Sequence, residues 1–262
     1  MRRKMIKNSF FGTRQTVIAA LLKAETIDSF IHQARDAEFA GADAIAAELC
    51  LLPPEQRTKE NFAALMAAVK LPFLFCVYRN DAWLGRDDAA RQPGLLAAAE
   101  AGAEVIDVMG DLFDPSPREL TRSPAAVRRQ KKLMKDIHDR GAKVVISSHT
   151  SDVLTAEEVL EHVKIQLDRG ADMVKIVAGI NTKEHLLEAI RTTMLLNEKM
   201  PVPFIHLGTG PFSRLHRYLG MQLGVAVEFA VADYHFPLAS FEQPTIASMK
   251  NVRENLRWHI NA

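Results

Sequence analysis

The chain has 262 residues, 48% hydrophobic and 25% charged, an ordinary globular composition at a length that suits one α/β barrel. Lys and Arg number 33 against 32 Asp and Glu, and the resulting net charge of +1 offers no electrostatic footprint for nucleic acid or an anionic membrane. No apolar run approaches the roughly 18 residues of a membrane-spanning helix, and the basic start MRRKMIK is followed by no apolar h-region, so neither a span nor a signal peptide is expected and the location is expected to be cytoplasmic.

In chain order, eight apolar stretches read as strands: TVIAAL (16–21), DAIAAEL (43–49), PFLFCVY (72–78), EVIDVM (104–109), KVVISSH (143–149), DMVKIV (172–177), PFIHLG (203–208) and AVEFAV (226–231). Helical patterns lie between them. TIDSFIHQARDAEFA has Thr26 as N-cap. TAEEVLEHVKIQLDRG opens with a Thr155/Glu158 capping box, and NTKEHLLEAIRTTMLLNEKM starts from Asn181 or Thr182. One phrase recurs at the helix-to-strand joints: AGADAIAA, AGAEVIDV, RGAKVVIS and RGADMVKI, with glycines 41, 102, 141 and 170 as left-handed helix caps. Alternating βα units whose strands are apolar on both faces predict a parallel sheet covered by helices, and eight of them predict a single (β/α)8 TIM barrel over residues 1–262. An open doubly wound sheet is the runner-up, without a Gly-rich phosphate loop to support it. Cys50 and Cys76 have no CxxC spacing and read as buried reduced thiols rather than a disulfide or metal site.

In a (β/α)8 barrel the active site lies at the C-terminal strand ends, which selects Arg79, His149, Lys175, His206 and the Gly208–Arg214 loop. Lys175 interrupts the apolar run ADMVKIVAG. Alternation places it with Met173 and Val177 on one strand face and Val174 and Ile176 on the other. A buried amine in the barrel mouth has two readings: an uncharged nucleophile for a carbonyl carbon, or a structural lysine paired with a carboxylate such as Asp107. His149, ending the preceding strand, is placed to move a proton beside it. The Gly208-Thr209-Gly210-Pro211 turn leads into a helix with Arg214, a backbone and guanidinium setting for an anion. Arg79 is a second candidate anion clamp. His206 reads as a strand-end residue near the pocket, and His216 and His235 as surface or loop residues. These histidines show no HxH or HExxH spacing, so no metal is expected.

With these residues in place, the chain resembles the type I 3-dehydroquinate dehydratases over about Thr16 to Leu256. The segments that carry the likeness are KVVISSH, GADMVKIVAGINTKE, PFIHLGTGPFSRLHRYLG, SFEQPTIA and PFLFCVYR. The resemblance implies a cofactor-free lyase of the shikimate pathway of aromatic amino acid biosynthesis. Its substrate would be a small hydroxylated cyclic keto acid, with no nucleic acid or membrane partner, and the enzyme would be a cytoplasmic homodimer. It implies that Lys175 forms an imine with the C3 ketone of dehydroquinate and that His149 removes a C2 proton and protonates the departing C1 hydroxyl. Arg214, Arg79, Ser240 and Gln243 would then bind the substrate.

The sequence departs from the family pattern at four places. Met109 stands where the fourth strand carries a glutamate that orients the histidine, and Asp111 is the candidate replacement. Ala46 and Glu48 stand in the second-strand E-x-R-x-D pattern, with a charge reversal at Glu48. Ala20 stands at a first-strand serine. These losses point to a changed or relaxed substrate. A Schiff-base aldolase with a phosphate at the GTG turn, and a non-catalytic family member, are the alternatives. Trp83 and Trp258 read as buried structural residues or as interface anchors.

Overall fold

The computed structural model describes residues 9–13, 15–234, 242–256 and 258–261. Eight strands form in chain order: β1 Val17–Lys23, β2 Ala44–Glu48, β3 Phe73–Cys76, β4 Val105–Met109, β5 Lys143–His149, β6 Met173–Gly179, β7 Phe204–Thr209 and β8 Val227–Ala230. They pair in parallel in the order β7-β6-β5-β4-β3-β2-β1-β8. Ala226 N–H donates to the Phe204 carbonyl at 2.9 Å, which brings the start of β8 against β7. The expected (β/α)8 barrel is therefore the fold, and it is nearly closed.

Among the described residues the α-helices are α1 Ile27–Ala40, α2 Lys59–Ala67, α3 Asp88–Ala101, α4 Pro124–His138, α5 Ala156–Asp168, α6 Lys183–Lys199, α7 Ser213–Gly220 and α8 Ile246–Asn255. Their starts follow the sequence cues. Thr26 accepts from Ser29 N–H, the Thr155/Glu158 capping box forms in both directions, and Thr182, not Asn181, caps α6. Gly41 and Gly102 end α1 and α3 at φ 87° and 108°, a region a side chain would strain.

Strand alternation divides the core into two layers. Val17, Ala44, Leu74, Val145 and Met173 pack together inside the barrel, while Val174 and Ile176 pack outward against the helices. The third strand is shorter than its apolar run because Tyr78 and Arg79 leave the ladder. Tyr78 N–H instead donates to Cys50 Sγ at 3.2 Å, and Arg79 turns to carboxylates beyond the sheet. Those two residues thereby reach the C-terminal mouth of the barrel.

Candidate active site

A cavity of about 400 Å³ opens at that mouth, room for a small cyclic acid. Lys175, His149, Tyr78, Arg79, Arg217 and Gln243 are among its lining residues. Lys175 points into the barrel, as alternation predicts. Its backbone is pinned from outside: the buried Gln166 of α5 accepts from Lys175 N–H at 3.1 Å and donates to its carbonyl at 2.9 Å. A strand-borne side chain fixed in this way gives its amine a defined position.

That amine does not stand alone. Lys175 Nζ lies 3.2 Å from Asp107 Oδ2 and donates to the Tyr78 hydroxyl at 3.0 Å. Tyr78 donates in turn to Asp107 Oδ2 at 2.9 Å, and the Ser147 hydroxyl donates to Asp107 Oδ1. Lys175 and Asp107 are almost fully buried, so the pair survives only because every oxygen of the carboxylate is engaged. The ion-paired alternative is the arrangement that forms. Burial, followed by the nearby Asp107 charge, pushes the Tyr78 phenol well above its ordinary range, so it remains a neutral donor.

The His149 ring meets the Tyr78 phenol edge-on, with centroids 5.0 Å apart. It makes no hydrogen bond to Lys175. Its partner is Glu119, whose Oε2 lies 2.9 Å from Nδ1 and accepts from His149 N–H at 2.8 Å. Asp111, the expected replacement for the missing β4 carboxylate, does not approach His149; its oxygens are taken by Arg79 at 2.8 and 2.9 Å. Glu119 lies in a short turn, Pro117–Glu119, with φ 48°, a strained region for this residue. Gly110 makes room for that turn, since a Cβ there would lie 2.6 Å from the Glu119 carbonyl oxygen. The sequence carries no period that announces Glu119. Only the Gly110 that follows Met109 hints at a close approach.

The arginines divide differently from expectation. Arg79 lines the cavity, but its guanidinium donors are committed to Asp88 at 2.7 and 3.0 Å and to the side chain and carbonyl of Asp111. Arg214 is not among the lining residues; its guanidinium lies over the Tyr234 ring at 5.6 Å and donates to that hydroxyl. Arg217, one helical turn further along α7, is buried and lines the cavity. One of its groups donates to the Gly208 carbonyl at 3.1 Å, while Nε and the other terminal nitrogen are buried without a hydrogen-bond partner among the described residues, in the field of the Glu228 and Glu242 carboxylates. Gln243 lines the cavity, and Ser240 and His235 lie outside the described residues. The Gly-rich turn already holds an anion of the chain itself: Glu242 Oε1 accepts from Gly210 N–H at 2.6 Å and from the Thr209 hydroxyl at 2.9 Å. The phosphate subsite that an aldolase would need is thus occupied.

On the remaining wall, Glu48 pairs with Lys23 at 3.0 Å, and Ala46 faces the barrel interior below it. Ala20 packs outward; Leu21, its neighbour, lines the cavity, because alternation turns position 20 toward the helices. Met109 is buried and away from the lining. His206 also points outward and is buried, and His216 is fully buried rather than exposed. The two rings meet edge-on at 4.9 Å, and both bond Thr193 Oγ1 at 2.9 Å. Cys50 and Cys76 are free and buried. Trp83 and Trp258 are each more than half exposed. Among the described residues no three His, Cys, Asp or Glu side chains gather as a metal site, and no helix is long and apolar enough to cross a membrane.

The model of the type I 3-dehydroquinase family matches residues 18–259. A 3-dehydroquinate dehydratase of Klebsiella pneumoniae is 26% identical over 234 residues, covering 86% of this chain and 88% of that one. The crystal structure of a type I 3-dehydroquinate dehydratase from Clostridium difficile, with covalently modified comenic acid, superposes with a TM-score of 0.79 at 19% identity and covers 98% of both chains. The Geobacillus kaustophilus 3-dehydroquinate dehydratase superposes at 0.78 with 18% identity over 94% of this chain and 93% of the other. The match runs from the second residue of β1 past the end of α8, and the chain belongs to the type I 3-dehydroquinase family.

Proposed function

We propose that this protein is an imine-forming dehydratase that takes 3-dehydroquinate, or a closely related cyclic keto acid, to its dehydrated product by syn elimination of water. The observation that carries this reading is a buried lysine and a carboxylate-bound histidine opening into one small cavity in a chain of this family. The Lys175–Asp107 pair is compatible with it. A protonated imine carries the same positive charge as the ammonium and occupies the same place, so Asp107 stabilises both and the carboxylate is never left unpaired. The protonated imine draws electrons from the neighbouring carbon and acidifies its C–H. His149, with Nδ1 held by Glu119, keeps Nε2 free to remove that proton and return it to the departing hydroxyl. Of the two arginines that line the cavity, Arg79 is committed to Asp88 and Asp111, so carboxylate recognition falls to Arg217, whose neighbouring charges are Glu228 and Glu242.

The wall argues for a relaxed hydroxyl reader. Leu21, Leu74, Val177 and Phe229 supply much of the lining, and the Glu48 charge is spent on Lys23. The lining still carries polar groups, Asn80 and Gln243 among them, but one already paired, such as Glu48, is less available to read a substrate hydroxyl. The setting we propose is cytoplasmic, and the assembly a homodimer. The test is reduction with borohydride in the presence of 3-dehydroquinate. A stable adduct should appear by mass spectrometry on the Lys175 peptide and be absent from Lys175→Ala. No adduct with 3-dehydroquinate or other cyclic keto acids would sink the reading.

A further inference from the structure

We propose that Tyr78 is a catalytic residue that relays protons from the lysine nitrogen to the substrate oxygen while the imine forms. The proposal rests on the imine reading above and adds a group to it. Imine formation needs more than a nucleophile. In its first step the C–N bond forms and the carbonyl π bond opens, while one proton moves from nitrogen to the carbonyl oxygen. In its second step the C–O bond breaks, a second proton moves from nitrogen to that oxygen, and water leaves. Overall an ammonium and a ketone become a protonated imine and water, with charge unchanged.

Both transfers start at Nζ, so the relay must touch Nζ. Among the described residues only Asp107 and Tyr78 do so. An ionised carboxylate only accepts, and Asp107 already serves Ser147, Tyr78 and Lys175. A phenol accepts at one lone pair while it donates its own proton, so it passes a proton on without building a persistent charge. Tyr78 accepts from Nζ at 3.0 Å, and its hydrogen, now directed at Asp107 Oδ2 at 2.9 Å, needs only rotation about the C–O bond to reach a substrate oxygen in the cavity it lines. His149 is not placed for this task. It makes no hydrogen bond to Nζ; its Nδ1 is held by Glu119 and its ring packs edge-on against Tyr78. The phenol thus separates two proton duties, its own at the lysine nitrogen and the imidazole's at the substrate carbon.

The test is rapid mixing with 3-dehydroquinate, followed by borohydride quench at increasing times and mass measurement of the Lys175 adduct. Tyr78→Phe keeps the ring and removes the relay. Adduct formation should slow by about 10²-fold, in the range usual for positioned proton transfer. Once the adduct has formed, loss of deuterium from substrate labelled at C2 should run at the wild-type rate. Adduct formation within threefold of wild type overturns the proposal. Should Tyr78→Phe lose its cooperative melting transition, difluorotyrosine at position 78 serves instead. It preserves shape and changes hydroxyl acidity, so an adduct rate moved by more than twofold supports the relay and an unmoved rate overturns it. Absence of any adduct in the wild type overturns the imine reading itself, and this proposal with it.

Discussion

Glu119 Oε2 lies 2.9 Å from His149 Nδ1 and accepts the His149 backbone N–H at 2.8 Å, so one carboxylate fixes both the ring and the main chain of the residue that ends β5. A neutral amide cannot hold an imidazolium as a carboxylate does. Partners of this kind are typically worth about 10- to 100-fold in activity. Glu119→Gln should therefore reduce kcat by that factor while the borohydride adduct on Lys175 still forms at its normal extent. Asp111→Asn, at the carboxylate that binds Arg79 instead, should affect turnover less. Steady-state rates of the two variants beside adduct yield check this.

The Lys175–Asp107 pair gives a stability prediction separable from chemistry. Lys175→Met leaves Asp107 buried without its counter-charge, and breaking a buried pair typically costs about 3–5 kcal/mol. Tyr78 and Ser147 still donate to Asp107, which places the expected loss near the lower end, about 3 kcal/mol. Lys175→Met combined with Asp107→Asn should recover part of that loss while remaining inactive. Urea denaturation midpoints of the single and double variants measure both.

Much of the fold was legible because the strands are nearly continuous apolar runs set between capped helices. Lys175 points inward by the same two-residue alternation that places Met173 and Val177. Three parts of the site were not legible. Glu119 reaches His149 from a strained turn 30 residues earlier in sequence, where no periodicity operates. Tyr78 looked like the last apolar residue of a strand, but the chain leaves the ladder at Cys76 and turns its hydroxyl to the lysine. Arg217 lies one helical turn beyond Arg214, and only packing decides which of two neighbouring arginines meets the cavity. His216 was misplaced because a short helix with three basic residues reads as exposed, whereas its ring is buried against Thr193 and His206.

Arg217 and Arg214 therefore make opposite predictions. A hydrogen bond to a charged partner contributes about 1.5–3 kcal/mol, which corresponds to roughly a 10- to 150-fold change in affinity. Arg217→Met should raise KM for 3-dehydroquinate by that order, with kcat less affected. Arg214→Met, whose guanidinium rests on Tyr234, should raise KM by less than threefold. Equal effects from the two substitutions would contradict the assignment of Arg217 to the substrate carboxylate.

The buried imidazoles set the acid side of the stability curve. Burial lowers His162 and His216 from 6.5 to about 4 and lowers His206 well below 6.5. Each binds a proton more readily unfolded than folded, so its stabilising contribution is complete above pH 6.5 and is lost as pH falls from 6.5 toward 4. Glu228 works in the other direction. Its burial raises the carboxyl well above 4.5, so its contribution is lost as pH rises through that region. Asp111, whose carboxyl burial also raises, acts with Glu228, but three histidines outweigh two carboxyls, and each net proton is worth about 1.4 kcal/mol per pH unit. Stability should therefore fall between pH 6.5 and 4.5 well before the lowered carboxylates protonate. His162→Gln, at a ring whose Nε2 has no hydrogen-bond partner, should flatten the slope by one proton's worth. Glu228→Gln should steepen the slope by the same amount and stabilise the protein at pH 8 relative to wild type. Urea midpoints of the three proteins at half-unit pH steps would reveal either change of slope.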